Sequence, residues 1–238
     1  LPSEAPWHEP LSLLTMIASN TSKIKLATAI LIAPLRNPAL LAKTVATLDA
    51  ISKGRLELGV GLGWQKEEFD AAGVSFEDRT EIFWETLDIC KLLWHDSPIS
   101  FHGKHFNFDD IWCHPQPIQG QDLPLLFGLK MTHENAQRIA KVGHGWIPIK
   151  TSRDFISAGR EILSEAFMKE DRQDQPRIRG QLPTCVDENG VPNIDLTLKE
   201  LEKSMAAGLD EIEVFPINFV QAPDKIYEVL QLISEVKK

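Results

Sequence analysis

The chain has 238 residues, 43% of them hydrophobic and 25% charged, with a formal net charge of −9. That is the size and mixture of one globular domain, taken as residues 1–238, with no apolar run near the ~20 residues of a bilayer span and too little positive charge for non-specific nucleic-acid binding. Three widely spaced cysteines, Cys90, Cys113 and Cys185, argue against a disulfide framework and for a reducing cytoplasm, and the opening Leu1-Pro2-Ser3-Glu4 has no signal-peptide character.

In chain order, the first helix is expected from Pro10 to Thr21, where Leu11, Leu14, Ile17 and Ala18 recur at helical spacing. Lys23 to Ile30, apolar and β-branched, reads as a strand. Asn37 caps the next helix, Pro38 takes its first position, Leu41, Val45, Leu48 and Ile51 line one face, and Gly54 ends it. Leu56 to Val60 is a short strand. Ser75 and Asp78 have capping-box spacing, and Ile82, Phe83, Leu87, Cys90, Leu93 and Trp94 then keep a helical period. Pro98, Pro115, Pro117 and Gly120 break the pattern, so residues 97–123 read as an insertion. Leu125–Gly128 is a strand, Thr132 starts a helix carrying Ala136, Ile139 and Ala140, and Gly145–Ile149 is a strand. Ser152 caps a helix with Phe155, Ile156, Gly159, Ile162, Leu163 and Ala166 on one face. Ile178–Val186 is a strand interrupted by Pro183; Thr197 and Glu200 form a second capping box, and Gly208 ends that helix. Glu211–Phe215 is a strand, and Ile226, Val229, Leu230 and Ile233 mark the last helix. Strands alternating with helices through short connections mean parallel strands with crossover helices. Six strands, near residues 24, 56, 125, 145, 180 and 211, suit either an open sheet or a barrel.

Two stretches carry chemistry. Gly59-Val60-Gly61-Leu62-Gly63-Trp64 follows a strand, but a dinucleotide fingerprint needs glycine where Trp64 stands. Its glycines either let a backbone approach a ligand at a strand's C-terminal end or only bend the chain. Phe127-Gly128-Leu129-Lys130-Met131-Thr132 runs from a strand end to a helix start. There the free amides, Lys130 and the Thr132 hydroxyl could hold a phosphate, or Thr132 could be an N-cap and nothing more. His102 and His105, with Cys113 and His114 beyond, match no closed zinc spacing, and no metal is expected. Glu67 and Glu68 near the glycine turn suit an exposed short helix.

These segments together resemble the luciferase-like monooxygenase superfamily, in particular its branch dependent on the deazaflavin coenzyme F-420. The matching stretches are I-K-L-A-T-A-I-L-I-A-P-L-R-N-P (Ile24–Pro38), A-K-T-V-A-T-L-D-A-I-S-K-G-R-L-E-L-G-V-G-L-G-W (Ala42–Trp64), E-E-F (Glu67–Phe69), F-G-L-K-M-T (Phe127–Thr132) and G-H-G-W-I-P (Gly143–Pro148). The resemblance implies a (β/α)8 TIM-type barrel, seen here without its first strand, first helix and second strand. Trp7-His8-Glu9-Pro10 resembles the family's second helix, which accounts for six strands instead of eight. It further implies a cofactor ring at the strand C-termini, against a non-prolyl cis peptide at Ala29-Ile30 that forms a bulge. Gly61, Gly63 and Trp64 would line the same pocket, and Gly128, Leu129, Lys130, Met131 and Thr132 would hold the phosphate. Leu129 departs from the pattern, which usually has a second glycine there. In many relatives the second strand carries an acidic residue and a histidine beside the ring; neither has a counterpart here, so no catalytic histidine is assigned.

The resemblance leads to a redox enzyme of small organic molecules, using coenzyme F-420 for hydride transfer or FMN for oxygen activation. Leu62 stands where some relatives carry an arginine for the FMN phosphate, which favours the deazaflavin. The competing expectations are a non-catalytic flavin-binding protein and a piece of a longer chain. A homodimer in the cytoplasm is expected, with substrate choice shaped by Ile99–Gln121 and by the loops after Ile149 and Phe215.

Overall fold

The computed structural model describes residues 8–220 and 225–235, so Trp7 and the first six residues lie outside the described part. The chain is α/β and divides into two compact units, residues 1–127 and 128–238.

In the first unit, α1 (Pro10–Asn20) is capped by Glu9, whose carboxylate accepts the amides of Leu11 and Ser12 at 3.3 and 2.7 Å. The strand expected at Lys23–Ile30 is two shorter pieces, β1 (Leu26–Ala27) and β2 (Leu31–Ile32). Both run parallel to β3 (Leu56–Gly61). Register explains the break. Ala27 faces Glu57 and Leu31 faces Val60, so four steps on one strand oppose three on the other. The surplus residue makes a bulge, and it holds a cis peptide at Ala29-Ile30, the position that the resemblance implied. Thr28 ties the bulge to β3, its hydroxyl donating to the Gly59 carbonyl at 2.7 Å.

Helix α2 (Pro38–Ser52) starts as its sequence requires. Asn37 accepts the Leu40 amide, and Pro38 fills a position whose amide would have no helical partner. Two other helices follow, α3 (Lys66–Ala72) and α4 (Arg79–His95). Ser75 does accept the Asp78 amide at 3.2 Å, but α4 begins only after Asp78, so the capping box is half made. Along the α2–α4 seam the buried Ala42 and Ala46 let the helices approach. Trp94 Nε1 donates to the Ala42 carbonyl there at 3.1 Å. Phe83 and Trp84 pack α4 on Phe127 in β6 (Leu125–Gly128), a neighbour of β3 in the sheet.

The insertion is more ordered than its prolines suggest. It holds an antiparallel hairpin, β4 (Ile99–His102) and β5 (Asn107–Ile111), and a 3-10 turn at Gly120–Asp122. Its return leg is fastened to α2 by Asp49. That fully buried carboxylate accepts the Gln119 amide at 3.1 Å and Gln119 Nε2 at 2.8 Å.

In the second unit, α5 (His133–Val142), β7 (Gly145–Trp146), α6 (Arg153–Lys169), β8 (Arg177–Gln181), α7 (Ile194–Ala206), β9 (Glu211–Glu213) and α8 (Ile226–Ser234) follow in order. The pairs β7–β8 and β8–β9 are parallel. Trp146 is the packing centre: its Nε1 donates to the Leu129 carbonyl at 2.8 Å and its ring lies against Gly159. A Cβ on Gly159 would stand 2.2 Å from that ring, so this helix position admits only glycine. Three sequence expectations shift. Pro183 lies beyond β8, which ends at Gln181. Ser152 stands at the N-cap of α6 but makes no side-chain cap bond. Helix α7 starts at Ile194 with Asn193 as its cap, and the Thr197 hydroxyl instead accepts the Cys185 amide at 3.0 Å.

Candidate functional site

Strand C-termini expose backbone groups that no further ladder uses, which is why parallel α/β proteins place ligands there. In the first unit the relevant ends are β2 and β3 with the bulge between Ala27 and Leu31. Ala29 is exposed, Ile30 is half-buried, and Trp64 is 82% exposed, a large apolar surface left uncovered by this unit. Gly63 has φ +78° and is shaped by the protein itself, since a Cβ there would stand 2.7 Å from Ile32 Cγ2 and 3.0 Å from the Phe69 ring. Gly61 is buried at the end of β3, paired with Ile32. Glu67 and Glu68 lie exposed in the first turn of α3.

In the second unit, Gly128 through Thr132 lead into α5. Thr132 is the N-cap, its hydroxyl accepting the Asn135 amide at 3.1 Å, while Asn135 Nδ2 donates to the Lys130 carbonyl at 2.9 Å. Both bonds hold the turn in shape. The amides of His133 and Glu134, in the first turn, have no acceptor among the described residues, as expected where the helix offers none. Lys130 is exposed, Met131 is half-buried, and Leu129 is buried, a core side chain rather than an exposed one. Amides at a helix start, an ammonium and a hydroxyl that can still donate its proton form a donor set suited to a phosphate.

Sequence reasoning passed over a charged cluster on the β8 and β9 strands. Glu211 accepts from Arg177 Nε and Arg179 Nε, both at 2.6 Å. Burial pushes the Glu213 carboxyl upward, with Arg179 pulling it down and Glu211 adding to the rise. An alternation of charged residues, Arg177, Arg179, Glu211 and Glu213, was the visible signal in two stretches otherwise read only as strands.

The histidines of the insertion separate. His102 pairs with Asn107 and Asp109, and His105 turns to Glu81 at 3.0 Å. Among the described residues Asp78, Glu81 and His105 lie within mutual reach, but the Lys104 ammonium already sits on Glu81. No described helix is long and apolar enough to cross a membrane.

Residues 2–190 match the family described as "Luciferase-like monooxygenase". An uncharacterized protein of Mycobacterium tuberculosis is 33% identical over 171 residues, which is 67% of this chain and 59% of that protein. An F420-dependent glucose-6-phosphate dehydrogenase of Kineococcus radiotolerans is 29% identical over 196 residues, 76% of this chain and 55% of that one. The chain thus spans little more than half the length of these relatives. Among solved structures, an F420-dependent secondary alcohol dehydrogenase with an F420-acetone adduct aligns with 99% of this chain and 86% of its own, at TM-score 0.83 and 17% identity. The oxygenating constituent of 3,6-diketocamphane monooxygenase from Pseudomonas putida, in complex with FMN, aligns with 95% of this chain and 82% of its own, at TM-score 0.77 and 16% identity. Both likenesses are of fold.

Proposed function

Because the chain belongs to the luciferase-like monooxygenase family, we propose that it serves an oxidoreductase using coenzyme F-420 on a small organic substrate. The observation that carries this reading is the donor set at the start of α5. The His133 and Glu134 amides, which have no acceptor among the described residues, exposed Lys130 and the Thr132 hydroxyl are what a cofactor phosphate requires. On the family's pattern, Ala29 and the bulge of the first unit would face the ring. Ile30, Gly61, Gly63 and Trp64 border it on the family's pattern. Leu62 stands where a flavin phosphate would call for an arginine, which favours the deazaflavin over FMN. The F420-dependent relative of Kineococcus radiotolerans supports the same choice. When bound, such a coenzyme supplies two-electron hydride transfer at a ring carbon. In this reading this chain's residues hold the phosphate and present an apolar face to the ring.

The test is a parallel titration of the purified chain with coenzyme F-420 and with FMN, read by ring fluorescence. We expect micromolar or tighter binding of F-420 and at least about tenfold weaker binding of FMN. Lys130→Ala should weaken F-420 by about tenfold, the loss of one charge-assisted contact. Binding of FMN alone would move the chemistry to oxygen activation, and binding of neither would reject the reading.

A further inference from the structure

The first unit contains a cleft built from residues other than those given to the cofactor. It is open to solvent, with a volume of about 400 Å³ between the turn after β2 (Pro34, Leu35, Arg36, Asn37), the end of α3 and the segment after it (Ala72–Ser75), Ile82 of α4, and the hairpin turn at His105 and Phe106. That volume lies within the range of small-molecule sites.

Its chemistry is asymmetric. Pro34, Leu35, Val74, Ile82 and Phe106 form apolar walls, and the ionisable lining residues are Arg36 and His105, with no carboxylate among them. Each is paired with a carboxylate outside the lining, Arg36 with Glu9 and His105 with Glu81, so the cleft offers an anion directed donors rather than an excess of positive charge. Among the described residues Arg36 is steadied from outside by one bond, NH2 to Glu9 Oε1 at 2.8 Å, and its other guanidinium donors have no described partner. Burial works to raise the Glu9 carboxyl. Hydrogen bonds from Ser12, Arg36 and Leu11 outweigh it and hold the group down at about 2, so Glu9 is ionised at neutral pH.

The opposite wall is preorganised by Glu85. Its carboxylate accepts three consecutive amides of the hairpin turn, Lys104 at 2.8 Å, His105 at 3.0 Å and Phe106 at 3.2 Å. Gly103 permits this approach, because a Cβ there would stand 2.6 Å from Glu85 Oε2. His105 Nε2 is fixed on Glu81 at 3.0 Å, and its ring is only 16% exposed. Walls held in place before a ligand arrives lower the ordering cost of binding.

We propose that this cleft is a binding site for a small amphipathic carboxylate, with its head on the Arg36 guanidinium beside His105 and its apolar body along Val74, Ile82 and Phe106. The site does not depend on the cofactor reading, since no residue is shared. The test uses octanoate as probe and 1-octanol as its uncharged counterpart, followed by calorimetry on the full chain without cofactor. Octanoate should bind saturably, and octanol at least about tenfold more weakly, as expected for loss of a charge-assisted contact. Arg36→Met should remove that preference. Val74→Trp, which fills the cleft from a surface segment, should abolish octanoate binding while the thermal melt stays cooperative. Glu9→Gln should tighten octanoate, because it removes a negative charge that competes for the Arg36 guanidinium. Equal binding of acid and alcohol, no binding of octanoate, or octanoate binding unchanged in both Arg36→Met and Val74→Trp would overturn the proposal.

Discussion

Arg55 shows how much one side chain can hold. From the turn after α2 its guanidinium donates to the carbonyls of Ala18, Thr21 and Ile24, to the Thr21 hydroxyl, and through Nε to the Ser52 carbonyl at 2.6 Å. Two of those carbonyls, Ala18 and Ser52, belong to the last turns of α1 and α2, where helices leave acceptors unpaired. An ammonium has three donors and no planar fork, so lysine cannot reproduce the set. We expect Arg55→Ala to lower stability by roughly 2–4 kcal/mol and Arg55→Lys to recover less than half of it, measured by urea unfolding. A cost below about 0.5 kcal/mol for alanine would mean that water replaces the guanidinium without penalty. Nothing in the S-K-G-R run announces this role, because the acceptors lie up to 37 residues away.

Among the elements, the insertion is decided by contacts that its own composition conceals. Prolines at 98, 115 and 117 suggested irregular chain, yet Glu85 holds the hairpin turn and Asp49 holds the return leg. A buried carboxylate is tolerated only when its lone pairs are met, and Gln119 meets them twice over 70 residues of sequence. Removing Asp49 strands two donors inside the protein. Asp49→Ala should therefore cost about 1–3 kcal/mol and raise amide exchange selectively in residues 112–121. Uniform exchange changes across the whole chain would show that Asp49 supports α2 rather than the insertion. The start of α7 makes the same point about local signals. Two cap signals, Asn193 and Thr197, lie four positions apart, and Thr197 is drawn inward by the Cys185 amide, which leaves the cap to Asn193.

For the molecule as a whole, binding to the folded chain and not to the unfolded one must appear as stability. If the proposed cofactor reading is right, coenzyme F-420 at a hundred times its Kd should add about 2.7 kcal/mol. For a chain of this size that raises Tm by roughly 5–11 °C. An unchanged Tm at that ratio would contradict specific binding to the native state, whatever fluorescence reports. The luciferase-like fold is matched along nearly all of the chain by solved structures of low identity. A pattern of strands and helices thus persists where most side chains differ, as burial and periodicity alone require.

What the chain declares locally was legible: six strand positions, the helices with their apolar faces, and the Asn37 and Thr132 caps all lie close to where periodicity and capping put them. The bulge position came from resemblance to a known family, since no composition rule marks Ala29-Ile30. Only the tertiary structure decided the register slip that makes the bulge, the grip of Asp49 on Gln119, the glycine required beside Trp146, and the cleft between Arg36 and His105. The division has a physical cause. Helical period, turns and caps are interactions among residues a few positions apart, so they are written into short stretches. Cross-strand register and buried polar pairs join residues tens of positions apart, and no short stretch contains both partners.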